Sequence, residues 1–278
     1  MNVIKTELPN LCFVGDIHGD FTGIAGTMKF SGLTDVAYVF CGDCGFGFES
    51  EEYYNQAFNK VGKTANKMNA ECYFVRGNHE SKEYYDYGLI KRKRFKTVKD
   101  YTVIQTPEHN ILCVGGATSI DRVWRLEGNA QYVKEYMKYH PVSEEEAVRK
   151  AKKCYWMDEP PVYDENALNE LKENGIEIDI VATHTCPSFA QPLHKKGLEN
   201  WMKYDPMLEN DLNYERLVMD NVYNKLIEDG HPLQKWIYGH FHYHNSEFIG
   251  DVNFVMLDMS RNGKMDVLQI HSKTEENK

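Results

Sequence analysis

The stretch LCFVGDIHG, residues 11–19, decides the fold. Its apolar run of four residues leads directly into Asp16 and His18, two side chains that can bind metal ions. A short run of this kind is typical of a strand buried on both faces, although periodicity alone leaves a buried helix open. Because ligands of α/β sheets bind beyond the carboxyl ends of the strands, we expect Asp16 and His18 to lie at a functional site.

Four further segments repeat this pattern of an apolar run followed by metal-ligating side chains. They supply the candidates Asp43, Asn78, His184, His240 and His242, which brings the total to seven with no cysteine among them. Residues two apart, such as His240 and His242, project to the same side of an extended backbone and can reach one ion. Glycine precedes the ligands in four of the five segments, where it permits close approach of the backbone to a cofactor. The set predicts a two-metal hydrolase.

The composition predicts a soluble globular protein. The formal charge of −10 disfavours binding to nucleic acid in bulk, because such binding depends on neutralising phosphates with Lys and Arg. No apolar run reaches the length of about 18 residues that a membrane span needs. Residues 1–10 lack the basic and apolar blocks of a signal peptide. We therefore expect a cytoplasmic location and no membrane partner, while the oligomeric state is not predicted.

Strand signals alternating with helical patterns predict an α/β fold of two sheets with helices outside, in a single domain over residues 1–278. Closely spaced strand signals at 101–105, 111–114, 246–249 and 252–257 predict antiparallel additions. Capping residues and apolar spacing predict helices over about 50–68, 143–153, 164–175 and 211–229. Residues 119–161 and 185–210 are interpreted as loop and helical insertions over the site.

Seven cysteines, an odd number, are interpreted as reduced thiols. Cys41 and Cys44 have the C-x-x-C spacing of redox or zinc sites, but no second pair accompanies them. We interpret Cys41 as a core residue and Cys44 as a neighbour of the metals.

The five segments resemble the calcineurin-like metallophosphoesterases. The order in that family is Asp-x-His, Gly-Asp, Gly-Asn-His-Glu or Asp, a single His, and Gly-His-x-His, and every element occurs here in order between Gly15 and His242. The resemblance implies a two-sheet β-sandwich flanked by helices, a four-layer α/β/β/α arrangement. It also implies an enzyme that hydrolyses phosphoesters.

The resemblance further implies a role for each matching residue. Asp16, His18 and His242 would hold one metal; Asn78, His184 and His240 would hold the other; and Asp43 would bridge both. The ions would be Mn²⁺, Fe or Zn²⁺, with manganese favoured, and they would share a hydroxide nucleophile. His79 would protonate the leaving oxygen, oriented by Glu80 or another carboxylate.

One departure from the family concerns the substrate phosphate. Protein Ser/Thr phosphatases usually follow the second aspartate with Asp-Arg-Gly, whose arginine binds the phosphate, whereas residues 44–47 here read CGFG. Arg122 or Arg125 could replace that arginine, with a surface salt bridge as the alternative for each. The basic run at 91–94 is interpreted as a solvated turn, with a phosphate-binding site as the alternative because the run follows His79 in the sequence.

The predicted activity is therefore hydrolysis of a phosphomonoester or phosphodiester on a small molecule or a phosphopeptide. A metal-dependent nuclease is one alternative, which the acidic charge disfavours. A non-catalytic scaffold of the same fold is another. Such scaffolds usually lose ligands, whereas the full set and His79 are present here.

Overall fold

Twelve strands and eight helices make up the part of the chain that the computed structural model describes, residues 2–193 and 197–273. The strands are β1 (Asn2–Lys5), β2 (Asn10–Val14), β3 (Val36–Phe40), β4 (Ala70–Phe74), β5 (Phe95–Thr97), β6 (Thr102–Gln105), β7 (Asn110–Val114), β8 (Ile180–Thr183), β9 (Lys235–Tyr238), β10 (Asn245–Ile249), β11 (Val252–Met256) and β12 (Val267–Ile270). The helices are α1 (Ile24–Ser31), α2 (Glu51–Lys67), α3 (Glu83–Asp86), α4 (Arg122–Tyr139), α5 (Glu144–Lys150), α6 (Glu165–Glu173), α7 (Leu198–Met202) and α8 (Leu208–Glu228).

The strands form two mixed sheets. One sheet has seven strands in the order β1-β6-β7-β8-β9-β11-β10, and the other has five in the order β12-β2-β3-β4-β5. The central strands of each sheet run in parallel, namely β7, β8 and β9 in the first and β2, β3 and β4 in the second. The β6–β7 and β10–β11 pairs are antiparallel, as their close spacing in the sequence predicted. The predicted α/β sandwich of two sheets flanked by helices is confirmed.

Alternation along the buried strands creates separate cores on the two faces of each sheet. In β2, Cys12 and Val14 pack in a cluster with residues of α1 and α2, whereas Leu11 and Phe13 pack in a second cluster with residues of the other sheet. A third cluster joins α6 and α8 to the outer face of the seven-stranded sheet. Because side chains of a strand alternate between faces, both faces of these strands need apolar residues, which explains their continuous apolar runs.

Local capping chemistry fixes three of the predicted helices. The side chains of Ser50, Ser143 and Asp164 accept hydrogen bonds from the backbone N–H three residues further on, at the starts of α2, α5 and α6. Two helix ends differ from the predicted ones. Helix α8 begins at Leu208 and not at 211, and α5 ends at Lys150 and not at 153, because Ala151 is extended. Helix α4 has no buried residue, so its sequence lacks the apolar stripe from which its first and last residues could have been predicted. Within the described ranges, no helix is both long and apolar enough to cross a bilayer.

A buried arginine joins the two sheets beyond their strand ends. Arg76, which follows β4, is 2% exposed, and its Nη2 lies 3.0 Å from Asp100 Oδ2. The same nitrogen donates to the carbonyl of Gly115, which follows β7, and Nη1 donates to the carbonyl of Glu159 at 2.7 Å. One guanidinium thus binds both sheets and the segment 119–161, and the sequence had not indicated this residue.

We expect Arg76→Met to destabilise the fold strongly. Removing one partner of a buried charged pair leaves the other groups unpaired, which costs about 3 to 5 kcal/mol. The free energy of unfolding in urea would measure the loss. Arg149→Met, at an exposed position of α5, is the control and should change the free energy of unfolding far less. Equal effects of the two substitutions would contradict this role for Arg76.

Candidate metal centre

The ends of β2, β3, β8 and β9 bring six of the seven predicted ligands into two groups. Asp16, His18, Asp43 and His242 form the first, and Asp43, His184 and His240 form the second. The expectation that His240 and His242 reach one ion is wrong, because both residues have positive φ and the backbone between them is not extended. Within each group the candidate ligand atoms all lie within 4.8 Å of one another. Only Asp43 belongs to both of the groups found among the described residues. Its carboxylate therefore lies where both groups meet.

The first group brings two imidazole nitrogens and a carboxylate oxygen close together. His242 Nε2 lies 3.2 Å from His18 Nε2 and 3.2 Å from Asp16 Oδ2. Two imidazole nitrogens that face each other at this distance leave at least one lone pair directed into the group. Imidazole nitrogen and carboxylate oxygen are the donors that Mn²⁺, Fe and Zn²⁺ accept, so the residues fit a divalent cation.

The second group is oriented by a backbone carbonyl. His184 Nδ1 lies 2.8 Å from the carbonyl oxygen of Cys41, to which it donates, so Nε2 is the nitrogen available to a metal. His184 Nε2 lies 3.1 Å from Asp43 Oδ1 and 2.9 Å from Asn78 Oδ1. The amide oxygen of Asn78 thus lies next to His184 and Asp43.

Opposing electrostatic effects act on the buried histidine and aspartate. Burial alone would lower the pKa of His184, but Asp43 and Asp16 raise it to about 9. Burial would raise the pKa of Asp43, but His184, His79 and His18 bring it well below its ordinary value. The carboxylates thus hold a proton on His184 in the absence of a cation. A metal that binds His184 must displace this proton, so its uptake should release protons to the solvent.

Two glycines allow the ligand segments to approach one another. A Cβ on Gly42 would overlap the His184 ring, and a Cβ on Gly239 would overlap the Asp16 carboxylate. Gly42 also has φ of +94°, a conformation that favours glycine. Gly42, before Asp43, and Gly239, before His240, are therefore needed for the close packing of the site.

His79 lies between Asp43 and Arg125. Its backbone N–H donates to Asp43 Oδ1 at 2.9 Å, and its ring Nε2 lies 3.0 Å from Arg125 Nη2. Burial lowers the pKa of His79 to about 4; Asp43 opposes this shift and Arg125 adds to it. The ring is thus neutral at pH 7, and its Nε2 accepts the hydrogen bond from Arg125.

The two predicted substrate-binding arginines lie in different surroundings. Arg125 reaches His79, whereas Arg122 pairs with Asp205 at 2.5 Å and with Asp211 at 2.6 Å. Arg122 thereby joins α4 to the chain around the start of α8.

The contacts of Glu80 differ from the prediction, in which Glu80 or another carboxylate orients His79. Its carboxylate accepts the backbone N–H groups of Gly45 at 2.8 Å and Gly77 at 2.5 Å, so it ties two ligand loops together. Burial and the nearby Asp43 raise the pKa of Glu80 to about 8. Cys44 is buried beside it, and burial raises the pKa of this thiol well above its ordinary value.

The remaining predicted groups make contacts away from this centre. His244 Nδ1 lies 2.7 Å from Asp266 Oδ2 on an exposed surface. In the basic run 91–94, Arg92 and Arg94 donate to Asn55 and Asn66 of α2. All seven cysteines are free.

A relay of two hydrogen-bonded residues, Ser119 and Glu159, supports Asn78 and was not predicted from the sequence. Asn78 Nδ2 donates to Ser119 Oγ at 2.8 Å, and Ser119 Oγ donates to Glu159 Oε2 at 2.7 Å. Ser119 N–H also donates to Glu159 Oε1, at 2.7 Å. The relay directs the amide oxygen of Asn78 toward His184. Ser119 and Glu159 stand far apart in the sequence and match no motif, so only the tertiary structure reveals them.

Glu215 is a second buried carboxylate behind the site. It accepts from Thr118 N–H at 2.5 Å and from Thr185 Oγ1 at 2.6 Å, next to the ligand His184. A charged residue at a buried position of α8, among apolar residues such as Val218 and Val222, was the sequence signal that could have indicated it.

Comparison with known families identifies the class. The sequence model described as "calcineurin-like phosphoesterase" matches residues 9–244. Its members are phosphoesterases, so the fold and the match define a hydrolase of phosphoester bonds. The chain belongs to the calcineurin-like phosphoesterase family.

Solved structures of similar fold share little sequence with this chain. A dimetal phosphatase from Danio rerio is 14% identical over 91% of this chain and 88% of that one, with a TM-score of 0.47. Phosphopantetheinyl hydrolase from Mycobacterium tuberculosis is 13% identical over 94% of this chain and 96% of that one, with a TM-score of 0.42. A putative 5'-nucleotidase from Staphylococcus aureus is 12% identical over 95% of this chain and 54% of that one, with a TM-score of 0.42. The comparison with curated proteins found no match.

We expect Ser119→Ala to weaken metal binding at the second group. Loss of a group that orients a metal ligand typically lowers metal affinity about 10- to 100-fold. Titration of the metal-free protein with Mn²⁺, followed by calorimetry, would measure the two sites. Ser246→Ala, at an exposed position of β10, is the control and should leave both affinities unchanged. Unaltered affinity in Ser119→Ala would show that the relay does not orient Asn78.

Proposed function

We propose that this chain is a two-metal phosphoesterase that acts on a phosphomonoester or phosphodiester. The observation that carries the proposal is the membership of Asp43 in both ligand groups. Asp16, His18 and His242 would hold one ion; Asn78, His184 and His240 would hold the other; and Asp43 would contact both. The donors are imidazole, carboxylate and amide groups without thiolate, which suit Mn²⁺, Fe or Zn²⁺, and manganese is the metal used to test the proposal.

The bound ions would supply the nucleophile and part of the charge stabilisation. Two divalent cations in such a site lower the pKa of water and neutralise the phosphoryl oxygens during in-line displacement. The formal charge of −10 would otherwise repel an anionic substrate from the chain as a whole. Attraction of the phosphate therefore depends on the loaded centre and on Arg125.

Arg125 and His79 would act in sequence on the substrate. The Arg125 guanidinium lies 3.0 Å from His79 Nε2, and guanidinium groups pair geometrically with phosphate oxygens. A bound phosphate would draw Arg125 away from the ring and replace a cation near it with an anion. Both changes raise the pKa of His79, so that Nε2 can carry the proton needed by the leaving oxygen. Arg125 in this way fills the place of the arginine missing after Asp43.

The substrate class remains that of a phosphorylated small molecule or a phosphopeptide. The acidic charge of the chain disfavours nucleic acid, because phosphate binding in bulk requires Lys and Arg.

The proposal is tested by metal removal and readdition. The protein treated with EDTA should not hydrolyse p-nitrophenyl phosphate or bis(p-nitrophenyl) phosphate, and Mn²⁺ should restore hydrolysis of at least one of them, which also decides between monoester and diester. Asp43→Asn should bind less metal, as measured by elemental analysis. No turnover with a fully loaded centre would favour a scaffold, and digestion of single-stranded DNA instead would favour a nuclease.

We expect His79→Ala to impair hydrolysis according to the leaving group. General acid help is worth about 10²- to 10⁴-fold, and it matters most for a poor leaving group such as an alkoxide. The kcat on an alkyl phosphate should fall by that factor, while the kcat on p-nitrophenyl phosphate should be largely retained. His271→Ala, at an exposed position, is the control. Equal losses on both substrates would remove the acid role from His79.

A further inference from the structure

A cavity of about 470 Å³ opens directly from the metal centre. His18, His79 and Arg125 of the centre line it, together with Phe48 and Tyr53. The volume lies within the range of roughly 300 to 1,000 Å³ that is typical of small-molecule sites. His18, His79 and Arg125 therefore lie both at the proposed phosphate site and along a cavity that can hold another part of the substrate.

The position of His79 determines which part of the substrate enters this cavity. If His79 protonates the leaving oxygen, the alcohol that bears this oxygen must lie on the side of the His79 ring. The ring of Phe48 lies on that side, with its centroid 6.2 Å from the centroid of the His79 ring. Phe48 also contacts the edge of Trp156, with the centroids 5.4 Å apart. The leaving group would consequently meet an aromatic surface.

The loop that carries Phe48 is held in place before any substrate binds. The Tyr54 hydroxyl accepts the N–H groups of Gly47 at 2.8 Å and Glu49 at 3.0 Å, on either side of Phe48. The same hydroxyl donates to the carbonyl of Gly45 at 2.7 Å. Phe48 is half-buried in this arrangement, so one part of its surface is free to contact a ligand. A preorganised ring loses little freedom on binding, which favours affinity.

The charges of the cavity disfavour an anionic leaving group. Arg125 is the one Lys or Arg among the described residues that line it, and the phosphate would engage that side chain. Glu49 also lines the cavity, and its carboxylate lies 3.6 Å from Lys152 on the exposed surface. Because the phosphate would engage Arg125, a second anionic group would find no other Lys or Arg among the described residues that line the cavity.

We infer that this cavity binds the leaving group of the substrate and selects small phosphoesters whose alcohol carries a flat ring, free of anionic groups, that packs against Phe48. The inference rests on the proposed function and specifies its substrate class. Ring packing of this kind favours offset-stacked or edge-to-face contacts. Phe48, in the loop that follows Asp43, is thus a residue that determines substrate specificity.

Two alkyl esters of similar leaving-group basicity test the inference. The Mn²⁺-loaded protein should hydrolyse 2-phenylethyl phosphate with a higher kcat/KM than propyl phosphate. Replacing Phe48 by Leu keeps an apolar side chain but removes the ring, so the ratio of the two kcat/KM values should fall about twofold to tenfold. Phe48→Tyr keeps the ring and should retain the ratio. Phe30→Leu, in the last turn of α1 where Phe30 is 92% exposed, is the matched control.

The outcomes separate this inference from the proposed function. Equal kcat/KM values for the two esters, or an unchanged ratio in Phe48→Leu, would overturn the aromatic subsite while leaving the phosphoesterase in place. Failure of the loaded protein to hydrolyse either ester or the p-nitrophenyl substrates would overturn the proposed function and the inference together.

Discussion

The buried carboxylate of Asp43 is the group around which the rest of the site is arranged. It is 1% exposed, and a buried charge is costly unless it is paired and hydrogen-bonded. His184 Nε2 at 3.1 Å and the backbone N–H of His79 at 2.9 Å supply those partners. The segments that follow β3, β4 and β8 must therefore converge on one point. The same convergence gathers the other candidate ligands around Asp43.

This convergence needs two sheets whose parallel strands end at the same place. The apolar cluster between the sheets holds β2 and β3 against β7, β8 and β9. At the strand ends, Arg76 joins both sheets to the segment 119–161 through Asp100 and the carbonyls of Gly115 and Glu159. Ser119 and Glu159 then connect that segment to Asn78. The insertion is thus part of the support of the metal centre, in addition to supplying Arg125.

The loop after Asp43 explains how the chain departs from its relatives. Glycines at positions 42, 45 and 47 all have positive φ, and the Tyr54 hydroxyl and the Glu80 carboxylate bind the backbone between them. Phe46 packs into the aromatic core beneath α2, with its ring centroid 5.0 Å from that of Phe21. Phe48, two residues further along the loop, is only part-buried and exposes aromatic surface to the cavity. The cation in this cavity is Arg125 of α4, on a different part of the chain.

The sequence by itself determined the two-sheet architecture and the set of candidate ligands, because both depend on local patterns. Apolar runs report burial, and a glycine followed by a ligand reports a tight turn at a strand end. Only the tertiary structure decided which groups support these residues. In the structure, Arg125 contacts His79 whereas Arg122 pairs with Asp205. Glu80 accepts backbone N–H groups, and Glu159 supports Asn78 through Ser119. These contacts join residues distant along the chain, so their energies arise from packing that no local pattern records.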